Sequence, residues 1–484
     1  MNPQSSSTKN VRFYTIGCKV NQYETQAMRE ALERVGYCDI EGQKGVPCDL
    51  VVVNTCTVTQ DSDRTNRYWI RRLKREHPRA RITVTGCYAE RNRAELEAMP
   101  EVDLVFLNDE KPFLSEKLLR SAKRVCVDSP SLLSSPPLGE RGEGEGAKSS
   151  SDGVASGLSE KCKTGFLNKT TTFMPLSISR SEGKTRAYVK IQDGCNHACS
   201  FCKVSLVRGP SRSRALSEIL EEVTRLRDGG YREIILTGIQ LGAYGIDLEP
   251  PSKAGERHYL LKDVIEASAR VEGIERIRLS SIELTDLGEP VREAFRSVPK
   301  LCPHIHLPLQ SGDNEVLARM NRRYTREEYR DVVFELKQRI SDFEVSVDVM
   351  AGFPGETEGQ FVNTLDLLET LAPLKTHVFP YSLREGTRAA DWGTFPAQVV
   401  RDRVRRLMES GERISAEVRR RYLGRSLEIL AEHKDDRSGV SEGFTPNYLK
   451  VFFEYPRNVQ GCIIPFKLTE LFRDGFRGNP GLPR

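Results

Sequence analysis

No segment of this 484-residue chain is an uninterrupted apolar run long enough to cross a bilayer. Its start, Met1-Asn-Pro-Gln-Ser-Ser-Ser-Thr-Lys-Asn10, is polar and lacks the apolar stretch that a secretory signal needs. Both absences point away from a membrane partner and toward the cytoplasm. Thiols stay reduced there, so the twelve cysteines suggest metal or catalytic chemistry before disulfides. Net charge is also scant. At +5 it is too small for a general coating that would bind nucleic acid anywhere on the surface. Two CxxC pairs, a natural spacing for a closed zinc site, are missing. No strong internal repeat is present.

What the chain does have is a globular composition, 38% hydrophobic and 29% charged, and length enough for about three domains. Strands at Val11–Ile16, Asp49–Val53, Arg81–Thr85 and Asp103–Leu107 alternate with helices at Tyr23–Val35, Asp61–Glu76 and Glu90–Ala98. That alternation predicts a parallel α/β domain over 9–128. Residues 129–183 are rich in Ser, Pro, Gly and Glu and poor in apolar side chains, which predicts a disordered linker. Over 184–414 six further strands alternate with helices, predicting a parallel partial (βα)6 barrel. They are Arg186–Ile191, Glu233–Leu236, Arg276–Leu279, His304–Leu307, Val345–Met350 and Thr376–Pro380. A long basic helix over Ala397–Tyr422 leads into 415–478, where three apolar runs predict a small OB-like β-barrel. The fold class is α/β with this all-β tail.

Charge is unevenly spread. Nine arginines face four acids between Arg401 and Arg425, and a second basic stretch, Arg64–Arg75, falls on a predicted helix. Such stretches either attract phosphate backbones or form solvated helix faces with local ion pairs.

The chemistry concentrates in cysteine. Cys195, Cys199 and Cys202 stand in Gly194-Cys-Asn-His-Ala-Cys-Ser-Phe-Cys202, a CxxxCxxC triplet directly after the first barrel strand. Three thiolates against the four irons of a cubane cluster leave one iron open to a small molecule. Catalytic metal sites keep a position free in the same way. His197 sits between two of the cysteines and reads as a loop residue, not a ligand. Active sites of parallel barrels gather at the carboxyl ends of the strands. On that rim the triplet is joined by Thr237-Gly238-Ile-Gln240, Ser280-Ser281-Ile-Glu283, Pro308-Leu-Gln310-Ser-Gly312 and Gly352-Phe-Pro-Gly-Glu356. Their glycines permit close approach to a ligand, and their hydroxyl and amide groups can fix its polar ends.

A second constellation lies in the first domain, where Cys18, Cys56 and Cys87 each follow a strand. Neighbouring ends of a parallel sheet converge, so three cysteines distant in sequence are expected to meet as another three-thiolate site. The competing reading is that cysteine is a common small buried residue. Cys38, Cys48, Cys126, Cys162, Cys302 and Cys462 show no paired spacing and read as structural.

The triplet spacing, with Phe201 before its last cysteine, is the signature of radical S-adenosylmethionine enzymes. Nearly the whole chain resembles the methylthiotransferases of that class, which place a methylthio group on tRNA or on a ribosomal protein. Gly17-Cys-Lys-Val-Asn-Gln-Tyr-Glu-Thr25 resembles the branch acting on N6-threonylcarbamoyladenosine at tRNA position 37. The isopentenyladenosine branch typically carries Gln-Met after that cysteine, and the ribosomal-protein branch Pro-Lys. Asn54-Thr-Cys-Thr-Val-Thr59, Leu307-Pro-Leu-Gln-Ser-Gly312 and Met320-Asn-Arg-Arg-Tyr-Thr325 agree, and Gly443-Phe-Thr-Pro-Asn-Tyr-Leu-Lys450 resembles the tRNA-gripping TRAM domain.

The resemblance implies two 4Fe-4S clusters, one on Cys195, Cys199 and Cys202 and an auxiliary one on Cys18, Cys56 and Cys87. It implies S-adenosylmethionine near Phe201, Thr237, Gly238, Gln240, Ser280, Ser281, Gln310, Gly352 and Glu356. The reaction implied is radical abstraction of hydrogen from C2 of the modified adenine, followed by sulfur insertion and methylation. The implied partners are a tRNA anticodon stem-loop, held by the basic segments and by Arg208, Arg212, Arg214, Asn447 and Lys450, and an electron donor such as flavodoxin or ferredoxin. Other readings are the same chemistry on isopentenyladenosine or a ribosomal-protein aspartate, and a non-catalytic iron–sulfur RNA-binding protein. Three departures stand out: Ser205 and Leu284 replace usual prolines, and the long linker is expected to loosen coupling between the two cysteine-bearing domains.

Overall fold

The computed structural model describes residues 9–43, 45–57, 60–125, 172–248, 259–434 and 439–482. Five parallel strands form the first domain: β1 (Lys9–Thr15), β2 (Tyr37–Asp39), β3 (Leu50–Thr55), β4 (Arg81–Gly86) and β5 (Leu104–Val105), in the order β2-β1-β3-β4-β5. Central β3, Leu-Val-Val-Val-Asn-Thr, is buried at every position because helices cover both faces of the sheet. The edge strand β2 was not expected, since three residues are too few to show a period. The expected helix Glu90–Ala98 is two helices, Cys87–Arg91 and Arg93–Glu97, the first starting at the cysteine itself.

The second domain carries β6 (Arg186–Lys190), a short antiparallel ribbon of β7 (Gln192–Asp193) and β8 (Arg212–Ser213), and then β9 (Glu233–Thr237), β10 (Arg276–Leu279), β11 (His304–His306), β12 (Glu344–Ala351) and β13 (Lys375–Pro380). Two parallel triplets, β6-β9-β10 and β11-β12-β13, are joined by the bridges Ile277↔Leu301 and Ser281↔His306. The six expected strands thus make an incomplete barrel. A closed barrel follows, with β14 (Ser426–Lys434), β15 (Ser441–Phe444), β16 (Lys450–Phe453), β17 (Ile463–Phe472) and β18 (Gly475–Pro480) in the order β14-β15-β16-β18-β17. The strands β15 and β18 escaped the apolar pattern because they contain glycines that close packing demands. A Cβ on Gly478 would lie 1.9 Å from the Lys467 carbonyl oxygen.

The expectation of a disordered linker over 129–183 is corrected at its end, while 129–171 lies outside the described residues. Met174, Leu176 and Ile178 are buried with Tyr23 and Ala27 of the helix Lys19–Glu33. The Tyr23 hydroxyl donates to the Leu176 carbonyl at 2.9 Å, and Ser179 N–H donates to Glu30 at 2.9 Å. This segment therefore fastens the first domain to the second. The helix Ala397–Arg420 runs through the expected 414/415 boundary, and the last barrel begins only at Ser426. Among the described residues no helix is long and apolar enough to cross a membrane.

Candidate active site

The three cysteines of the first domain come together at the carboxyl ends of β1, β3 and β4. Gly17 (φ +111°) and Gly86 (φ +101°) lead into Cys18 and Cys87. A Cβ on Gly17 would lie 2.8 Å from Cys56 Sγ, and one on Gly86 would lie 2.3 Å from the Thr55 carbonyl oxygen. Side chains would force these loops apart. Asn21 ties two of them, donating to the Ile16 and Thr55 carbonyls at 2.9 Å each. Asn66 donates to the Cys56 carbonyl at 2.6 Å. Cys18 is solvent-reachable although protein packs closely around it, as at the floor of a recess. Burial raises its thiol pKa, while the Arg208 guanidinium pulls it down and Cys87 lies within electrostatic reach.

The second trio is held by its own domain. Cys195 N–H donates to the Gly209 carbonyl at 3.0 Å, and Ser200 N–H to the Met320 carbonyl at 3.0 Å. Asn321, at φ 59°, donates to the Ala198 carbonyl at 2.8 Å. Arg322 pairs with Glu283 and sits 5.8 Å over the Phe201 ring. The Met320–Thr325 motif is thus a buttress for the cysteine loop. His197 interacts with Asp286 at 3.4 Å, in keeping with a loop residue. Burial pushes the Cys195 thiol to about 12 and that of Cys202 to about 11.

Between the trios lies a charge network that the sequence reading missed. Glu24 is fully buried and accepts from Lys111, Lys190 and Arg208. Asp193 takes Lys190 at 2.7 Å and Arg212 at 3.5 Å. Arg208 reaches past Glu24 to Asn21 Oδ1 at 2.7 Å and Cys87 Sγ at 3.2 Å. Four buried cations thus face Glu24 and Asp193, with Asp109, 3.9 Å from Arg212, as the third carboxylate. The surplus beside Cys87 is the charge that thiolates, or an anionic group held by them, would balance. The only sequence signal was Glu24 falling on the buried face of its helix with Val20, Tyr23 and Ala27.

The radical SAM superfamily profile matches residues 189–368, and that of the uncharacterized protein family UPF0004 matches residues 10–107. A threonylcarbamoyladenosine tRNA methylthiotransferase, MtaB, of Bacillus subtilis is 35% identical over 95% of this chain and 94% of its own length. Its counterpart in Chlamydia pneumoniae is 33% identical over 96% of each. A tRNA-2-methylthio-N(6)-dimethylallyladenosine synthase of Aquifex aeolicus is 32% identical over 94% of this chain and 95% of its own. The chain belongs to the radical S-adenosylmethionine methylthiotransferases. Among solved structures, the radical S-adenosylmethionine methyltransferase TsrM of Kitasatospora setae shares the fold, with TM-score 0.52 at 15% identity over 79% of this chain and 77% of that one. Membership brings S-adenosylmethionine and a 4Fe-4S cluster as cofactors of this methylthiotransferase, and a loop of three thiols fits such a cluster.

The rim residues of the methylthiotransferase divide into two kinds. Ser280 Oγ is buried without a hydrogen-bond partner among the described residues, Gln310 is held at φ 67°, and Ser281 Oγ lies 3.2 Å from His306 Nδ1. Thr237 is buried and its carbonyl accepts from Ile191 N–H at 2.9 Å. Others are committed elsewhere. Gln240 accepts from Asn196 N–H at 2.9 Å and donates to Asp286 at 3.1 Å, so it shapes the cysteine loop. A Cβ on Gly238 would press on Gln192, and one on Gly352 on Val400. Burial raises Glu356 to about 7 even though its carboxylate accepts from Arg403 at 2.7 Å.

The expected tRNA contacts need correction. Arg208, Arg212 and Arg214 are buried, drawn inward by Glu24, Asp193 and Glu222, with Arg214 3.1 Å from Glu222. Asn447 is buried and accepts from Thr445 Oγ1 at 2.6 Å, while half-buried Lys450 pairs with Glu442 at 3.1 Å. The basic helices carry mostly paired arginines, among them Arg403–Glu356, Arg405–Glu409, Arg406–Glu358 and Arg72–Glu76. The last barrel, on which the sequence marked Lys450, also carries a basic–aromatic surface whose Arg473, Arg477 and Phe472 it did not mark. There Arg477 is 3.9 Å over the Phe472 ring, Arg473 5.0 Å from it and Lys450 4.6 Å over Phe452.

Proposed function

We propose that this methylthiotransferase acts on C2 of N6-threonylcarbamoyladenosine at position 37 of tRNA, giving the 2-methylthio nucleoside. One dipeptide carries the mechanistic part of the reading. The Arg208 side chain donates to Cys87, and the carbonyl of the next residue, Gly209, accepts from Cys195 N–H. Both cysteine trios are therefore referenced to the same point, as two sites that must cooperate on one atom require. Cys195, Cys199 and Cys202 would hold the cluster that binds S-adenosylmethionine, and Cys18, Cys56 and Cys87 a second cluster. When bound, these groups supply radical hydrogen abstraction and sulfur, chemistry for which no acid or base side chain suffices at an aromatic C–H.

The protein's part is placement. Asn21, Asn66 and Arg208 hold the first trio, while Asn321, Gln240 and the Gly209 carbonyl hold the second. Ser280, Ser281 and Gln310 would contact S-adenosylmethionine. Arg473, Arg477 and Phe472 offer cations and a ring to which an RNA strand can bind and stack. The target base would be extruded toward the barrel mouth. The acceptor is supported by the names of three relatives at 32–35% identity and by the Gly17–Thr25 motif. A flavodoxin- or ferredoxin-like donor would supply electrons in the cytoplasm. Nucleoside mass spectrometry of tRNA from a strain lacking its own enzyme and expressing this chain tests the acceptor. Methylthio-threonylcarbamoyladenosine is expected, and a methylthio-isopentenyl product alone refutes it. Anaerobic reconstitution should yield two clusters per chain.

A further inference from the structure

One cation at the junction of the domains has no ion-pair partner among the described residues. Lys19 follows Cys18 directly and opens the helix Lys19–Glu33, whose N-terminus has no side-chain cap. Among the described residues, its ammonium has neither an ion pair nor a hydrogen bond. It reaches toward the lumen of the incomplete barrel, within electrostatic range of Tyr448, Arg186, Arg278 and Asp348, and of His304 and His377. The carboxylates there are already committed. Asp348 accepts from His306 Nε2 at 2.8 Å, Glu233 from Arg278 at 3.0 Å, and Glu432 pairs with Arg186 at 2.5 Å. The His306–Asp348–His377 group brings three ligand atoms within 4.8 Å of one another, a spacing a divalent ion could use. Lys19, Arg186 and Arg278 repel such an ion and favour an anion. The helix N-terminus adds to that preference.

We propose that Lys19 receives the carboxylate of the substrate's threonylcarbamoyl arm and so selects the anionic arm over a neutral one on the same adenine. This rests on the acceptor assigned above. C2 and C6, the carbon that carries N6, belong to one six-membered ring. If C2 is brought to the sulfur trio, the N6 arm lies within reach of the residue next to Cys18. An isopentenyl arm has no charge and would leave the ammonium buried and unpaired, at a cost. The neighbouring Arg186 and Arg278 cannot substitute, being engaged with Glu432, Glu233 and the Tyr448 ring.

The test measures binding and modification of anticodon stem-loops by the reconstituted enzyme. The loops carry threonylcarbamoyladenosine, its carboxyl methyl ester, or plain adenosine at the target position. Wild type should bind the free acid about 10- to 100-fold more tightly than the ester, the scale of one charge-assisted hydrogen bond. Lys19→Gln should bring that ratio close to one, and Lys19→Arg should restore most of it. Iron content reports whether each variant keeps its sites, and the acid-versus-ester ratio of wild type judges the idea without any variant. A wild type that modifies the free acid yet treats the ester equally overturns the assignment of Lys19. So does an undiminished ratio in a Lys19→Gln protein of normal iron content. A wild type that prefers plain adenosine overturns the acceptor itself. One chelator-resistant divalent ion per chain, lost in His377→Ala, would assign the lumen to a cation instead.

Discussion

The two cysteine trios reach the same end by opposite routes. Cys195, Cys199 and Cys202 lie within eight residues and are shaped by contacts from their own domain, through Met320, Asn321 and Gln240. Cys18, Cys56 and Cys87 come from three separate strands, and part of what holds them belongs to the other domain. Arg208 grips Cys87 and Asn21, and Arg384 grips Asp63 at 2.8 Å and the Thr57 carbonyl beside Cys56. A local trio needs one loop, whereas a dispersed trio needs a correct sheet and a docked neighbour. The dispersed site should therefore be the one sensitive to the domain junction.

The sharpest break in the comparison is removal of ligands. Cys195→Ala, Cys199→Ala or Cys202→Ala should abolish both cleavage of S-adenosylmethionine and methylthiolation. Cys18→Ala, Cys56→Ala or Cys87→Ala should abolish sulfur insertion only, leaving about half the iron and measurable 5′-deoxyadenosine. Chromatography of 5′-deoxyadenosine beside iron assays decides. Equal loss in both sets would mean that the trios do not have separate roles.

Next in size is the junction. Glu24→Gln leaves three buried cations short of a carboxylate and should cost about 3–5 kcal/mol in denaturant unfolding. The first trio should lose iron before the second. The same carboxylate gives a pH dependence. Its neighbouring cations hold Glu24 well below the usual 4.5. The stability it contributes is therefore fully present above that value and lost as pH falls below it. Melting midpoints measured downward from neutral pH should drop in wild type, with a shallower drop in Glu24→Gln.

A smaller effect is expected at Asn321. Asn321→Ala removes the bond to the Ala198 carbonyl, worth about 1 kcal/mol, and strains a left-handed backbone that asparagine tolerates better than alanine. Slower cluster loading on the central trio alone, read by iron uptake after Cys18→Ala, would confirm a local buttress. The smallest effect belongs to the basic helix. Arg405→Ala removes exposed pairs with Glu409 and Asp402, and both the melting midpoint and tRNA affinity should stay at wild-type values. Arg473→Ala and Arg477→Ala should instead weaken tRNA binding and flatten its salt dependence, which binding titrations at several ionic strengths would show.

Legibility followed the distance over which each feature is organised. The six barrel strands and four of the five N-terminal ones showed in the sequence because β-branched runs between helices have their own short period. The three-residue β2 and the glycine-bearing β15 and β18 did not. The central triplet was legible from spacing. The first trio was legible only through its position after strands, and Glu24 was hardly legible at all. Arginines 208, 212 and 214 misled because a sequence shows charge but not which carboxylates lie opposite.

The linear chain by itself determined the strand and helix order, the local trio with its open-iron stoichiometry and the family motifs, since these depend on neighbours within one or two turns of chain. Only the tertiary structure decided that Cys18, Cys56 and Cys87 share a recess, that the basic Arg208–Arg214 segment faces inward, and that Lys19 stands unpaired among the described residues. Those outcomes hinge on which groups from distant segments share a low-dielectric interior, where each buried charge must find a partner or await one.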